Sequence, residues 1–265
     1  IGDFRRRELA GPTLDAAQRF VGQPQGPLAV FPCTPNFIAG EALHRSHASF
    51  ATLTPFEGAF CFSPEGEVLM TLGTPGVTGE GTDTFNRPSD VAVAPNGEIF
   101  VTDGEGPNNR VVKFSREGRF IMAWGASGSE PGNFDTPHSI AIDSQGRVFV
   151  ADRGNNRVQI FDGDGNFIDE WTQFGRPSGI SINRATDMLY VTDSTSNSRS
   201  APGARRGIYI GSAVTGELMY FIPDPDLEDM EWTRITGASG IAADATDTVL
   251  YAADVAPHQL RKYVR

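Results

Sequence analysis

Two stretches of this chain, residues 88–125 and 137–171, repeat the same pattern of apolar and turn residues. Each holds four short apolar runs separated by Gly, Asn and Asp: PSDVAV, EIFVTD, NRVVKF and GRFIMAW in the first, and PHSIAI, RVFVAD, NRVQIF and NFIDEW in the second. Runs rich in Val, Ile and Phe between turn residues are typical of strands. A unit of this size buries its apolar face only against neighbouring copies. The repeat therefore predicts an all-β protein built from four-stranded blades.

Weaker copies of the unit begin at PSGISI (177–182) and ASGIAA (238–243), while residues 28–32, 58–63 and 67–73 read as a degenerate first copy. We therefore predict one propeller domain over residues 1–265 with five blades; a sixth would have to lie in residues 10–50. The last copy holds three strands only. Because a closed ring leaves no sheet edge unpaired, we expect residues 3–9 to supply its outer strand.

The net charge and the lengths of the apolar runs limit the kinds of partner that this chain can bind. The formal net charge of −11 argues against nucleic acid, which requires a basic face. No apolar run approaches the roughly 20 residues of a membrane span, so a soluble protein is predicted. The partner that we expect is a small-molecule or peptide ligand. The chain begins at Ile1 without a signal peptide, and we expect a processed, exported protein, secreted or periplasmic. The sequence does not indicate the oligomeric state.

The two cysteines, Cys33 and Cys61, are expected on neighbouring strands of the first blade. In an exported protein they could form a disulfide; two buried thiols are the alternative.

The chain resembles NHL-repeat β-propellers through P-x-x-[IV]-A-[IV], [FY]-V-[AT]-D and N-R-[IV]-x-x-F, carried by residues 88–114 and 137–161. Residues 85–161, with FNRPSDVAV, WGASGSEPGN and FDTPHSIAI, are similar to peptidyl-α-hydroxyglycine α-amidating lyases. That resemblance implies a zinc-dependent enzyme that cleaves hydroxyglycine-extended peptides into an amide and glyoxylate.

The lyase's functional positions survive only in part. Its zinc-binding histidines follow Pro at the start of inner strands; the matching positions here are Ser89, His138, Ser178 and Ser239. Arg153 matches its arginine after a second-strand aspartate, Glu105 replaces its tyrosine, and its first arginine falls near Pro32 and Cys33. Authentic amidating-lyase activity is therefore not expected, and any enzyme would be a divergent metal-dependent lyase or hydrolase.

His138 is the candidate metal ligand, for zinc or calcium, with Glu105, Asp135 or water completing the site. Catalytic zinc usually takes three protein ligands, so a channel histidine bonded to backbone is the alternative. Arg153 could bind a substrate carboxylate in bidentate fashion, or form a surface ion pair of little consequence. Arg110 and Arg157, in contrast, are expected to tie Asp103 and Asp152 to the next turn, a structural role.

The loops that join blades converge at the channel mouth and add ligand-binding candidates, namely Arg87, Asp135, Arg176 and Ser239. Weaker metal candidates are His44 with His47, and the acidic run 224–231, for which a solvated loop is the alternative. Two functions fit these residues. The first is an enzyme that uses His138, Arg153 and Glu105 on a small anionic or peptide-like substrate; the second is a non-catalytic propeller that binds a peptide, glycan or protein.

Overall fold

The computed structural model describes residues 5–7, 29–30, 49–53, 57–197, 199–224, 237–254 and 259–265. Within these ranges the chain forms twenty strands and no helix, and the strands pair into five antiparallel four-stranded sheets. None of the described segments could therefore cross a bilayer as a helix. The predicted five-bladed, all-β propeller is confirmed.

The strands follow the chain from the inner to the outer edge of each blade. Blade I holds β2 (Ala29–Val30), β3 (Ser49–Leu53), β4 (Gly58–Phe62) and β5 (Val68–Leu72). Blade II holds β6 (Pro88–Val93), β7 (Ile99–Asp103), β8 (Arg110–Phe114) and β9 (Phe120–Trp124). Blade III holds β10 (Pro137–Ile142), β11 (Val148–Asp152), β12 (Arg157–Phe161) and β13 (Phe167–Trp171). Blade IV holds β14 (Gly179–Asn183), β15 (Met188–Asp193), β16 (Gly207–Ser212) and β17 (Leu218–Pro223).

Blade V is completed by the N-terminus of the chain. It contains β18 (Ala238–Ala243), β19 (Val249–Asp254) and β20 (Leu260–Val264), and β1 (Arg5–Arg7) pairs with β20 as the outermost strand. The register joins Arg5 to Val264 and Arg7 to Lys262. The closing strand that we expected within residues 3–9 is therefore present, and it covers an edge that would otherwise be open to pairing.

Blade I differs from the sequence prediction in one strand. Residues 49–53, SFATL, form β3 and pair with both β2 and β4, although we had not predicted a strand there. This segment lacks the run of Val and Ile that marks the second strands of blades II and III. Its strand state is set by its partners in the sheet rather than by its own propensity.

Apolar side chains between successive blades form the core. Separate buried clusters join blades I and II, II and III, III and IV, and IV and V. Aromatic rings pack within these clusters: the Trp124 ring centroid lies 5.7 Å from that of Phe161 in the next blade, and within blade III the Phe149 and Trp171 centroids are 5.5 Å apart. The clusters fix each blade against its neighbours, so equivalent positions of successive blades face one another.

A buried aspartate at the end of the second strand fixes the start of its own blade. In blade III, Asp152 Oδ1 accepts the Asp135 N–H at 2.8 Å, and Arg157 Nε donates to Asp152 Oδ2 at 2.8 Å. The Arg157 guanidinium also donates to the carbonyls of Glu130 and Asn133 in the linker before the blade. Blade II repeats this arrangement with Asp103 and Arg110. The predicted structural role of both arginines is confirmed, but they bond the linker before the blade and not the next turn.

The first strands of blades II to V lie side by side, and three of them start with a bulge. The register shifts between Pro88 and Asp90 in β6, between Pro137 and Ser139 in β10, and between Ala238 and Gly240 in β18. A bulge leaves one residue outside the ladder and re-aims its side chain. The residues so placed are Ser89, His138 and Ser239.

The aspartate–arginine pair of blade III yields a stability prediction. Asp152→Ala leaves the Arg157 guanidinium buried beside a missing carboxylate, and we expect a loss of about 3 kcal/mol in unfolding free energy. Urea denaturation followed by tryptophan fluorescence measures it. The control is Asp164→Ala, since the Asp164 side chain is 83% exposed. Similar midpoints for the two variants would contradict the structural role of Asp152.

Candidate functional site

Four predicted residues from three blades meet where the inner strands begin. Glu105 lies in the β7–β8 turn, His138 at the β10 bulge, Arg153 in the β11–β12 turn and Arg176 in the linker before β14. We call this group the mouth cluster. Turns between second and third strands lie at the same end of the blades as the starts of first strands, because neighbouring strands are antiparallel. The repeat therefore brings residues distant in sequence to one face.

Glu105 connects the cluster. Its Oε1 accepts from Arg153 Nη2 at 2.8 Å and lies 3.4 Å from His138 Nε2. Its backbone N–H donates to the Arg87 carbonyl at 3.1 Å, which anchors the turn to the linker before blade II. The Glu105, His138 and Arg153 side chains are 28%, 21% and 18% exposed, so a ligand can reach them while their charges remain weakly screened.

His138 is held in one tautomer. Its Nδ1 lies 2.6 Å from the Ser178 carbonyl oxygen, and since a carbonyl only accepts, Nδ1 carries the proton. Burial, and after it the positive charge of Arg153, lower the pKa of His138 to about 4. The ring is therefore neutral at pH 7, and the Nε2 lone pair faces the Glu105 carboxylate. Two acceptors facing each other favour a proton, a cation or a ligand donor between them.

Arg153 and Arg176 supply positive charge beside this ring. Arg153 Nε is buried and has no hydrogen-bond partner among the described residues, and burial lowers the pKa of Arg153. Arg176 Nε donates to Thr195 Oγ1 at 3.0 Å, and its Nη1 lies 3.5 Å from Asn156 Oδ1. Arg176 further lowers the pKa of both Arg153 and His138, so the two guanidinium groups share one electrostatic environment.

The other predicted mouth residues lie at its margin. Asp135 accepts from Thr136 Oγ1 at 2.9 Å, and its carboxylate covers Gly154, where a Cβ would stand 2.2 Å from Asp135 Cγ. Arg87 is exposed and joins the cluster through its carbonyl. Ser239, at the β18 bulge, presents its carbonyl oxygen to Gly179. The structure thus brings Glu105, His138, Arg153 and Arg176 together, with Asp135 beside them.

Sequence reasoning missed the residues that orient the cluster. Ser178 orients His138 through its carbonyl, and Thr195 with Asn156 orients Arg176. Thr195 belongs to the β15–β16 loop, which is longer than the equivalent loops of blades II and III. The unusual length of this loop is visible in the sequence and could have indicated that it contributes residues to the mouth cluster.

In the described part of the chain, at most two side chains could coordinate the metal expected at His138. Among the described residues, no group of three His, Cys, Asp or Glu side chains could hold a metal ion. The arrangement therefore does not provide the three ligands of catalytic zinc. His44, His47, Pro32, Cys33 and most of the acidic run 224–231 lie outside the described residues. Cys61 is buried in β4, and Cys33 lies outside the described residues, so both alternatives, a disulfide or two buried thiols, stay predictions.

Comparisons with known proteins agree with the repeat. The NHL repeat model matches residues 85–114 and 134–161. NHL repeat-containing protein 3 of Homo sapiens is 32% identical over 211 residues, which cover 77% of this chain and 57% of that protein. The probable peptidyl-α-hydroxyglycine α-amidating lyase of Caenorhabditis elegans is 41% identical over 125 residues, covering 46% of this chain and 34% of that protein.

Of two further similar proteins, one matches a smaller share of this chain and the other shows a similar fold alone. Peptidyl-glycine α-amidating monooxygenase of Mus musculus is 44% identical over 108 residues, 38% of this chain and 11% of that protein. Hydrazine synthase of Kuenenia stuttgartiensis superposes with a TM-score of 0.53 at 14% identity, over 78% of this chain and 52% of that one. The chain spans about half the length of the first curated relatives, with 57% and 46% of them covered.

The charges around His138 generate a prediction on its pKa. Arg153→Gln removes a positive charge and releases Glu105 towards the ring, and both effects raise the pKa of His138 from about 4 towards its ordinary value. Histidine-ring NMR titration measures this, with the signal assigned by its loss in His138→Ala. Arg119→Gln, which changes an exposed arginine, should leave the titration unchanged. An Nε2–H tautomer at pH 7 would contradict the geometry.

Proposed function

Because the chain is a β-propeller with NHL repeats, we propose that it binds a small anionic or peptide-like ligand at the mouth cluster. The observation that carries the proposal is the buried Nε–H of Arg153, which has no partner among the described residues. A buried donor without an acceptor costs free energy, and a ligand oxygen would remove that cost. Arg153 is the principal binding group and Arg176 the second.

A carboxylate suits this arrangement best. The Arg153 guanidinium is planar and presents parallel N–H groups, whereas its described carboxylate partner, Glu105, engages Nη2. A ligand carboxylate can therefore join this ion pair beside Glu105, and it reaches the buried Nε once a side-chain movement opens that edge of the guanidinium. Arg176 makes hydrogen bonds to neutral side chains and no ion pair with a described residue, so its charge also favours an anion at the mouth.

Acid–base catalysis is the second candidate function, and the neutral His138 ring favours it. Its Nε2 lone pair points into the mouth, and a general base must reach a ligand proton in this way. Glu105, 3.4 Å away, can share the proton that the ring accepts. The relatives named as lyases support lyase-like or hydrolase-like chemistry on the bound ligand. The amidating reaction itself is not proposed, because serine replaces histidine at Ser89, Ser178 and Ser239.

The test compares two short peptides that differ in one group, a free C-terminal carboxylate or a C-terminal amide. We expect the wild-type protein to bind the carboxylate form more tightly, and Arg153→Gln to weaken that binding about tenfold or more. Isothermal titration calorimetry gives both constants. The amide form should respond little to the substitution, since it carries no charge for the guanidinium.

Arg119→Gln is the matched control, because it removes the same charge from an exposed turn on the outer part of blade II. Equal losses in the two variants would reduce the effect to net charge and reject the site. Equal binding of both peptides by the wild-type protein would reject recognition of a carboxylate.

A metal at His138 remains a proposal with its own test. With Glu105 and water completing the coordination of His138, zinc titration of the wild-type protein should give stoichiometric binding that His138→Ala abolishes. Equal, weak binding in both proteins would reject the metal. That outcome would leave the anion site standing, since Arg153 and Arg176 act on a ligand without it.

A further inference from the structure

A buried carboxylate lies one bulge away from the mouth cluster. Asp90, in β6, is 7% exposed, and the equivalent positions of blades III, IV and V hold Ser139, Gly179 and Gly240. Both of its oxygens are used. Oδ1 accepts the Val91 N–H at 2.8 Å, and Oδ2 accepts from Ser139 Oγ at 2.5 Å and from the Ile140 N–H at 3.0 Å.

These bonds continue into a third blade. Ser139 Oγ accepts the Ile180 N–H at 3.1 Å, so Asp90, Ser139 and Ile180 link blades II, III and IV through their inner strands. Ser139 directly follows His138, which itself donates to the Ser178 carbonyl of blade IV. The β10 bulge is thus held from both sides, by Asp90 in the preceding blade and by residues 178 and 180 in the next.

We propose that Asp90 is a positioning residue for the mouth cluster: its carboxylate holds the β10 bulge through Ser139 and thereby fixes where His138 stands, and protonation of Asp90 loosens that hold. The importance of this position for a ligand rests on the function proposed above. The effect on His138 itself does not require any ligand.

The hydrogen bond between Asp90 and Ser139 differs between the charged and the neutral form of the Asp90 carboxyl. Burial raises the pKa of Asp90 to about 6, although the three hydrogen bonds oppose the shift. Above that pH the carboxylate accepts the Ser139 hydroxyl proton. Below it, the new O–H needs an acceptor, and Ser139 Oγ is the nearest oxygen bonded to Oδ2. Ser139 must then turn its own proton elsewhere, so the hydrogen bond between the blades reverses direction and loses the negative charge that strengthened it.

The neighbouring elements present few other titratable groups. β7 carries Asp103, which is paired with Arg110, and β10 carries His138. Arg184, from the β14–β15 turn, places Nη1 3.4 Å from the Val93 carbonyl at the end of β6. β3 holds no acid or base, and β4 holds only the Cys61 thiol. A change at His138 near pH 6 is therefore assigned to Asp90 rather than to these groups.

The test is NMR on the ligand-free protein. We expect the His138 ring nitrogen shifts to show a step with a midpoint near pH 6, separate from the ring's own protonation near pH 4. Asp90→Asn, which mimics the neutral state, should abolish the step and give at pH 7.5 the shifts that the wild-type protein shows at pH 5. Glu105→Gln is the matched control, because it removes the carboxyl nearest the ring and should retain the step.

A second variant guards against misfolding of the first. Ser139→Ala cuts the link without changing charge, so His138 should lose its step while the Asp90 carboxyl carbon still titrates. A step that persists in either Asp90→Asn or Ser139→Ala would overturn the proposal, as would an Asp90 carboxyl that titrates near 4. Failure of peptides to bind would reject the proposed function alone, since these shifts are measured without ligand.

Discussion

In blades II, III and IV a hydrogen bond joins the aspartate that ends the second strand to the linker that leads into the blade, and the mouth cluster depends on this constraint. Asp103, Asp152 and Asp193 each accept a backbone N–H, from Asn86, Asp135 and Arg176 respectively. The bond ties the end of the second strand to the start of the first. These carboxylates are buried, so a shift of the linker would leave each of them without one of its hydrogen-bond donors, which costs free energy. The backbone of the linkers and adjacent turns is therefore fixed, and so are the positions from which their side chains extend.

The mouth cluster arises where individual blades depart from this common frame. Arg153 and Glu105 follow blade aspartates by one and two residues, in turns whose backbone is already fixed. His138 stands at a bulge that blades II and V fill with serine. Each substitution changes a side chain at the mouth while the ladder and the interblade core remain. A repeat fold can in this way acquire a polar site without loss of its core.

Much of this could be predicted from the sequence, because the repeat sets positions in register. Equivalence between blades placed Glu105, His138 and Arg153 at one face before any coordinates were known. β3 could not be predicted, since SFATL pairs as a strand only within its sheet. The orientation of Arg176 depends on Thr195, in a loop that is longer than its counterparts in blades II and III. Asp90 escaped notice because a single exposed-looking aspartate in a sequence carries no sign that it will be buried between blades.

An arginine also links blades at the far end of the inner strands, away from the mouth cluster. Arg184 follows β14 and reaches the carbonyl of Val93, the last residue of β6, so it spans from blade IV to blade II past blade III. The protein carries a net charge of −11, yet both ends of this inner wall carry arginine. An anion is repelled by the surface as a whole, so the specific pairing at Arg153 and Arg176 must supply the attraction.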